Sequence, residues 1–289
     1  APRPSPLCYP RAAMPPLRPL DGLTILDFTL LLPGPYCTRL LADLGAHVVK
    51  IEPPWRDGLY SRPPLLSDGT SAAYAGLNRD KQIVALDLRA PDGRAQVLEL
   101  VRGGDALVEG FRPGVMDRLG LGFDALKAIH PGLVYCSLTG YGQDGPYAQR
   151  AGHDLNYLAL SGALGLGGPA DGPPLVPAVQ VADIGGGSQL AALSIVSALL
   201  ARARGTVQEA VWLDVSMVDG VVSWLQRHVS STFAGGPTPS RGHDLLNGGA
   251  PYYAVYETSD GRYMALGALE PKFWQTFCAL VGQPAWTTR

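Results

Sequence analysis

The chain has 289 residues, 46% of them hydrophobic and 17% charged, enough apolar material for a packed core, which excludes global disorder. Its 23 basic and 25 acidic side chains leave a formal charge of -2, which argues against a nucleic-acid-coating surface but allows one local basic pocket. Glycine (36) and proline (26) are abundant, so where they fall matters more than how many there are.

Residues 1–19 are Pro-rich and read as an extended tail without the apolar run of a secretory leader. A short apolar run at 23–28 predicts a strand. Pro33-Gly34-Pro35 then breaks the chain before a helix over 36–44, which Gly45 stops. A strand at 47–52, a Pro-rich loop over 53–69 and a third strand at 82–88 follow. Next come a helix near 93–101, a strand at 106–109, a helix near 123–129 and a strand at 133–138. Strands alternating with helices at this spacing predict βαβ units and a parallel, doubly wound sheet. A long helix is expected over 186–203, a strand over 211–215 and a helix over 218–233. A Gly/Pro loop at 235–249 leads to strands at 250–256 and 262–266 around Ser259-Asp260-Gly261, a hairpin pattern, and the last helix spans 270–281.

The change of pattern suggests a large α/β domain over 20–212, a linker helix and loop over 213–249, and a smaller α+β domain over 250–289 that looks incomplete at its C-terminal end. Cys8, Cys37, Cys136 and Cys278 lie far apart without a CxxC pair, so reduced thiols are expected and neither a zinc site nor a disulfide framework. The longest apolar run, 190–201, is too short to span a bilayer. A cytoplasmic protein with no membrane or nucleic-acid partner is the expectation.

Three motifs bear on chemistry. Gly140-Tyr-Gly142-Gln-Asp-Gly145 is formally GxGxxG after a strand, but Pro146 follows where a dinucleotide fold needs a helix, and no acidic strand end arrives at the required distance. Asp183, in VADIGGGS, stands at the entrance of the long helix. It reads as a plain N-cap or as an acid/base group beside free helix N–H donors, with Gly185, Gly186 and Gly187 clearing space for a ligand. His153, in GHDLNY, is a candidate general acid/base, but a second GHD at 242–244 places His243 in the same local context, and composition does not separate them.

The ordered blocks LLPGPYCTRLLADLGAHVVKIEPP, LNRDKQIVALDL, EGFRPGVMDRLGLGFDAL, AGHDLNY, VADIGGGS, DVSMVDG and GALEP resemble the family III CoA-transferases of CaiB/BaiF type, and within them the α-methylacyl-CoA racemase branch. The resemblance runs from about residue 20 to 289 and implies a Rossmann-like large domain with a smaller one in an interlocked homodimer, in chains that continue beyond Arg289. It selects His153 over His243 as a base, matches Asp183 to the opposing base, and matches Glu270, from the partner copy, to the glutamate that orients the histidine. It places Arg79, Lys81, Arg112, Arg118 and Lys50 in blocks that line the CoA site. An asparagine four residues before the aspartate belongs to the racemase pattern; here that position is Val179, with Gln180 beside it.

The implied reaction inverts the 2-methyl centre of an acyl-CoA thioester. One base removes the α-proton, a planar enolate forms with its oxygen near the Asp183 N–H, and the other base returns a proton on the opposite face. No cofactor is expected, since CoA belongs to the substrate. The alternatives are CoA transfer between carboxylic acids through an aspartyl-CoA intermediate on Asp183, and an acyl-CoA-binding relic without catalysis.

Overall fold

A computed structural model describes residues 17–288, so most of the expected tail lies outside the described residues. In chain order the elements are β1 (Thr24–Asp27), α1 (Pro33–Asp43), β2 (His47–Glu52), α2 (Ala72–Asn78), β3 (Gln82–Ala85), α3 (Pro91–Arg102), β4 (Ala106–Glu109), α4 (Val115–Arg118), α5 (Phe123–Ile129) and β5 (Val134–Thr139). They continue with α6 (Asp154–Ser161), α7 (Ala163–Leu166), a π-helix (Val181–Gln189), α8 (Leu190–Ala203), β6 (Val211–Ser216), α9 (Met217–Trp224) and α10 (Gln226–Phe233). The last elements are β7 (Tyr253–Glu257), β8 (Tyr263–Gly267), α11 (Pro271–Leu280) and a 3-10 turn (Pro284–Thr287).

Six strands form one parallel sheet in the order β3-β2-β1-β4-β5-β6, the doubly wound order expected from the alternation of strands and helices. Five of the six β2 residues are buried, as befits a parallel strand covered on both faces. Proline opens α1 and α3, where its missing N–H costs nothing, and Gly45, at φ 104, carries the chain out of α1.

The described chain divides into two compact units. One holds the chain up to Gly110, Met116–Cys136 and Ile195–Trp212; its core includes Ile25, Leu26, Leu41, Val48, Val97, Val101 and Leu107. The other holds Phe111–Val115, Ser137–Ser194 and the chain from Leu213. Within it β7 and β8 pair antiparallel as the expected hairpin, and Ala268, Trp274 and Cys278 form a small cluster with Tyr252, Leu266 and Phe277 packed against it. Cys37, Cys136 and Cys278 are buried and belong to no disulfide.

Three expectations need correction. A helix at 72–78 was not anticipated; Ser71 caps it by accepting the Tyr74 N–H, behind a Pro-rich loop that hides its start. The helix expected over 218–233 is two, divided at Leu225. The helix expected from Gly186 begins at Val181, and its first nine residues are a π-helix. With α8 it makes a continuous 23-residue stretch, Val181–Ala203, with an 18-residue window of mean hydropathy 1.6, long and apolar enough to cross a membrane, unlike the shorter run read from sequence. The stretch contains Asp183, and its glycines are packed against α9, as a core helix would be.

Candidate active site

His153 and Asp183 both lie in the second unit, at the entrances of two helices. His153 is the N-cap residue of α6, with its N–H donated to Asn156 Oδ1 at 3.0 Å and its ring exposed. Behind it the loop is held by Tyr157, whose hydroxyl donates to the Gly152 carbonyl at 2.6 Å. Gly152 has to be glycine: a Cβ there would lie 2.6 Å from the Tyr141 hydroxyl and 2.7 Å from the Tyr157 ring. Tyr141 and Tyr157 meet edge to face at 5.2 Å between ring centroids. The other GHD, at 242–244, opens no helix, and Asp244 there is occupied by the Ser240 N–H.

Asp183 is partly buried. Burial first, and then the negative charge of Asp154, push its carboxyl up to about 6, while His153 is near enough to pull in the opposite direction. The two candidate bases therefore share one electrostatic environment. Burial also raises the Tyr157 hydroxyl well above its ordinary value, helped by the charge of Asp183, so it serves as a neutral donor.

The structure corrects the reading of Asp183 as a helix cap or as the residue whose N–H awaits an oxyanion. Asp154 Oδ1 accepts the N–H groups of both Ala182 (2.7 Å) and Asp183 (2.9 Å). Asp154 was visible in GHDLNY, and its place just after a histidine N-cap was the signal that could have singled it out.

The glycine triplet also has a different use from the one expected. A Cβ on Gly185 would lie 1.7 Å from the Trp224 ring, on Gly186 2.7 Å from the Met217 carbonyl oxygen, and on Gly187 2.7 Å from Met217 Cγ. The glycines make room for α9 on that side, and no open space for a thioester is left there. Gly220 of α9 reciprocates, since its Cβ would sit 2.0 Å from the Gly186 carbonyl oxygen. Alanine is the better helix former by about 1 kcal/mol, yet a backbone oxygen at that range cannot yield. Gly220→Ala is therefore expected to destabilise the fold by about 1–3 kcal/mol, read as a lower Tm in calorimetry.

The basic residues separate into two groups. Lys50 and Lys81 do not face solvent: both side chains are fully buried in the first unit. Lys50 Nζ donates to the Thr29 carbonyl at 2.6 Å and lies between Asp27 (4.0 Å) and Glu52 (3.8 Å). Lys81 Nζ reaches Asp27 Oδ2 (3.1 Å), Thr38 Oγ1 (2.8 Å), Asn78 Oδ1 (3.0 Å) and the Pro35 carbonyl (2.9 Å). The Lys81 ammonium has no hydrogen left for a phosphate, and that of Lys50 is fully buried between two carboxylates, so the expectation that these two lysines contact CoA is replaced by a buried ionic network.

Arg79 is half-exposed and paired with Asp43 and Asp80. Arg112 and Arg118 are exposed and form no ion pair or hydrogen bond through their side chains among the described residues. Glu270, the N-cap residue of α11, is exposed, and no hydrogen bond or ion pair joins it to His153 among the described residues. No group of three or more His, Cys, Asp or Glu side chains is arranged to hold a metal ion among the described residues.

Residues 20–289 match the CoA-transferase family III. The chain belongs to that family. It is 38% identical to human α-methylacyl-CoA racemase over 259 residues, covering 89% of this chain and 63% of the relative. It is 37% identical to acetyl-CoA:oxalate CoA-transferase of Acetobacter aceti, covering 94% of this chain and 69% of the relative. Among solved structures, a CaiB/BaiF family protein from Brucella suis superposes with a TM-score of 0.81 at 33% identity, covering 94% of this chain and 71% of that one. The chain thus spans less than two thirds of the racemase's length, and its relatives in the family include both isomerising and group-transferring enzymes.

Proposed function

We propose that this chain acts on acyl-CoA thioesters as a 2-methylacyl-CoA racemase, with His153 and Asp183 as the two bases. The observation that carries the reading is the Asp183 carboxyl itself: raised to about 6 by burial and by Asp154, and within electrostatic reach of His153. A group that must both take and return a proton near neutral pH works best with a pKa close to that pH. A nucleophile for CoA transfer has to be ionised and has no need of a second titratable group opposite.

In this reading, the thioester's α-carbon lies between the imidazole and the carboxyl, and the pair carries one proton between them. Asp183 in its ionised form removes the α-proton while His153 supplies one to the other face; the opposite hand of substrate reverses the roles. The enolate oxygen needs donors, and the Asp183 N–H is already committed to Asp154. The Asp154 and Leu155 N–H groups at the start of α6 have no acceptor among the described residues, which makes that helix end the better oxyanion donor. Arg112, whose side chain forms no hydrogen bond or ion pair among the described residues, would meet the phosphates of CoA. Glu270 would reach His153 from a second copy in a homodimer.

The deciding experiment incubates the protein with a 2-methylacyl-CoA ester in deuterated water and follows the α-position by NMR. Exchange without any added acid supports the racemase. Absence of exchange, with CoA passing to an added carboxylate, assigns the chain to the transferases.

A further inference from the structure

We propose that Asp154 is a positioning residue that fixes the spacing of the two bases; this rests on the racemase reading above. Its Oδ1 accepts from Ala182 and Asp183 at 2.7 and 2.9 Å, so one oxygen ties the first turn of α6 to the first turn of the π-helix. Each tied turn carries a base at the knot: His153 immediately precedes Asp154, and Asp183 is itself one of the donors. Val179, where the racemase pattern has its supporting asparagine, is aliphatic and 63% exposed and cannot supply such a contact. Support for Asp183 therefore comes from the helix that carries the other base.

The tie has a second consequence, because the oxygen that holds the backbone also carries charge. Facing Asp183 are His153, Asp154 and Tyr157 of α6. The side of the π-helix packed on α9 meets Met217, Val221 and Trp224, and Asp219, α9's titratable residue, interacts with Asp214. Asp154 is thus the carboxylate that opposes ionisation of Asp183 from nearby. Holding the turn needs only an acceptor oxygen, whereas tuning the base needs the negative charge, and substitution separates the two.

Asp154→Ala removes both and Asp154→Asn only the charge. Alanine is expected to lower α-proton exchange by about 100-fold, the scale of a base misplaced by about an ångström. Asparagine is expected to rescue most of that loss while the acid limb of the rate profile moves to lower pH. In both variants the Asp183 carboxyl, followed by carbon-13 NMR, should titrate below its wild-type value. The amide protons of Ala182 and Asp183 should shift upfield in the alanine variant, where their acceptor is gone. Equal loss in both variants with an unmoved Asp183 titration would reduce Asp154 to an ordinary cap, as would an alanine variant with wild-type exchange and profile. If alanine fails to fold, an unshifted acid limb in the asparagine variant overturns the proposal alone. If wild type shows no exchange, the racemase reading fails separately, and the NMR titration and amide shifts still decide for or against the tie.

Discussion

His153→Ala is expected to lower inversion of the 2-methyl centre of a 2-methylacyl-CoA ester by about 10²- to 10⁴-fold, the usual worth of a general acid/base, and Asp183→Asn by a comparable factor. With one base left, a proton can leave one face of the enolate but has no partner to arrive from on the other. The pair works when it holds one proton. As pH falls through about 6, the carboxyl of Asp183 takes up a second, so the rate should fall about tenfold per pH unit below that point. Stability runs the other way. Because folding raises the Asp183 pKa from 3.8 to about 6, the protonated carboxyl favours the native state. That contribution is fully present below pH 3.8 and is lost as pH rises through about 6. Asp183→Asn, which carries no charge to bury, should therefore lose inversion at pH 7 without lowering the Tm. Calorimetry beside a chiral assay of the ester checks both halves. A transferase would answer differently: Asp183→Asn would stop it, but His153→Ala would leave CoA transfer largely intact.

What the sequence made legible follows from how local each signal is. β2 and β4 have the bounds that their apolar runs predict, because a strand buried on both faces is written as a continuous run, and the doubly wound order follows from the alternation of elements. α2 was hidden because small residues and Gly76 after a Pro-rich loop carry little helical periodicity. The π-helix was missed for a different reason: consecutive glycines look like a loop cleared for a ligand, whereas here they let α9 approach within contact of the backbone. At the site, the resemblance named His153 and Asp183, and the structure brings them into one electrostatic environment. It could not reveal that Asp154 joins them, since that hydrogen bond spans 28 and 29 residues. Lys50 and Lys81 show the limit most clearly. A lysine in or just before a strand reads as a phosphate ligand until its buried carboxylate partners, Asp27 of β1 for both and Glu52 for Lys50, are known.

Lys50→Met is expected to destabilise the protein by about 3–5 kcal/mol, the cost of breaking a buried ion pair from one side. Asp27, Glu52 and Lys50 are all fully buried, and two carboxylates cannot share the remaining buried ammonium of Lys81 equally. Burial by itself would raise the Asp27 pKa. The charges of Lys50 and Lys81, with hydrogen bonds from Thr29 and Thr38, outweigh it and hold the carboxyl well below the usual carboxylate range. In the native protein that stabilisation is present above the ordinary carboxylate pKa and is lost as pH falls through the depressed one. Taking Lys50 away lifts the folded-state pKa of Asp27, so the penalty should be greatest at neutral pH and shrink as acid protonates the exposed deficit. Urea unfolding at pH 7 and pH 5 measures both the size and the slope. Asp27→Asn in the same background should recover part of the loss at pH 7, since it removes a charge left short of partners. A direct contact between Lys50 and CoA would give the opposite signature: a raised KM with stability unchanged at both pH values. The buried network instead makes Lys50 a fastener of the β1–α1 loop, through the Thr29 carbonyl it holds. Any rise in KM in the methionine variant should therefore come with the loss of stability and never without it.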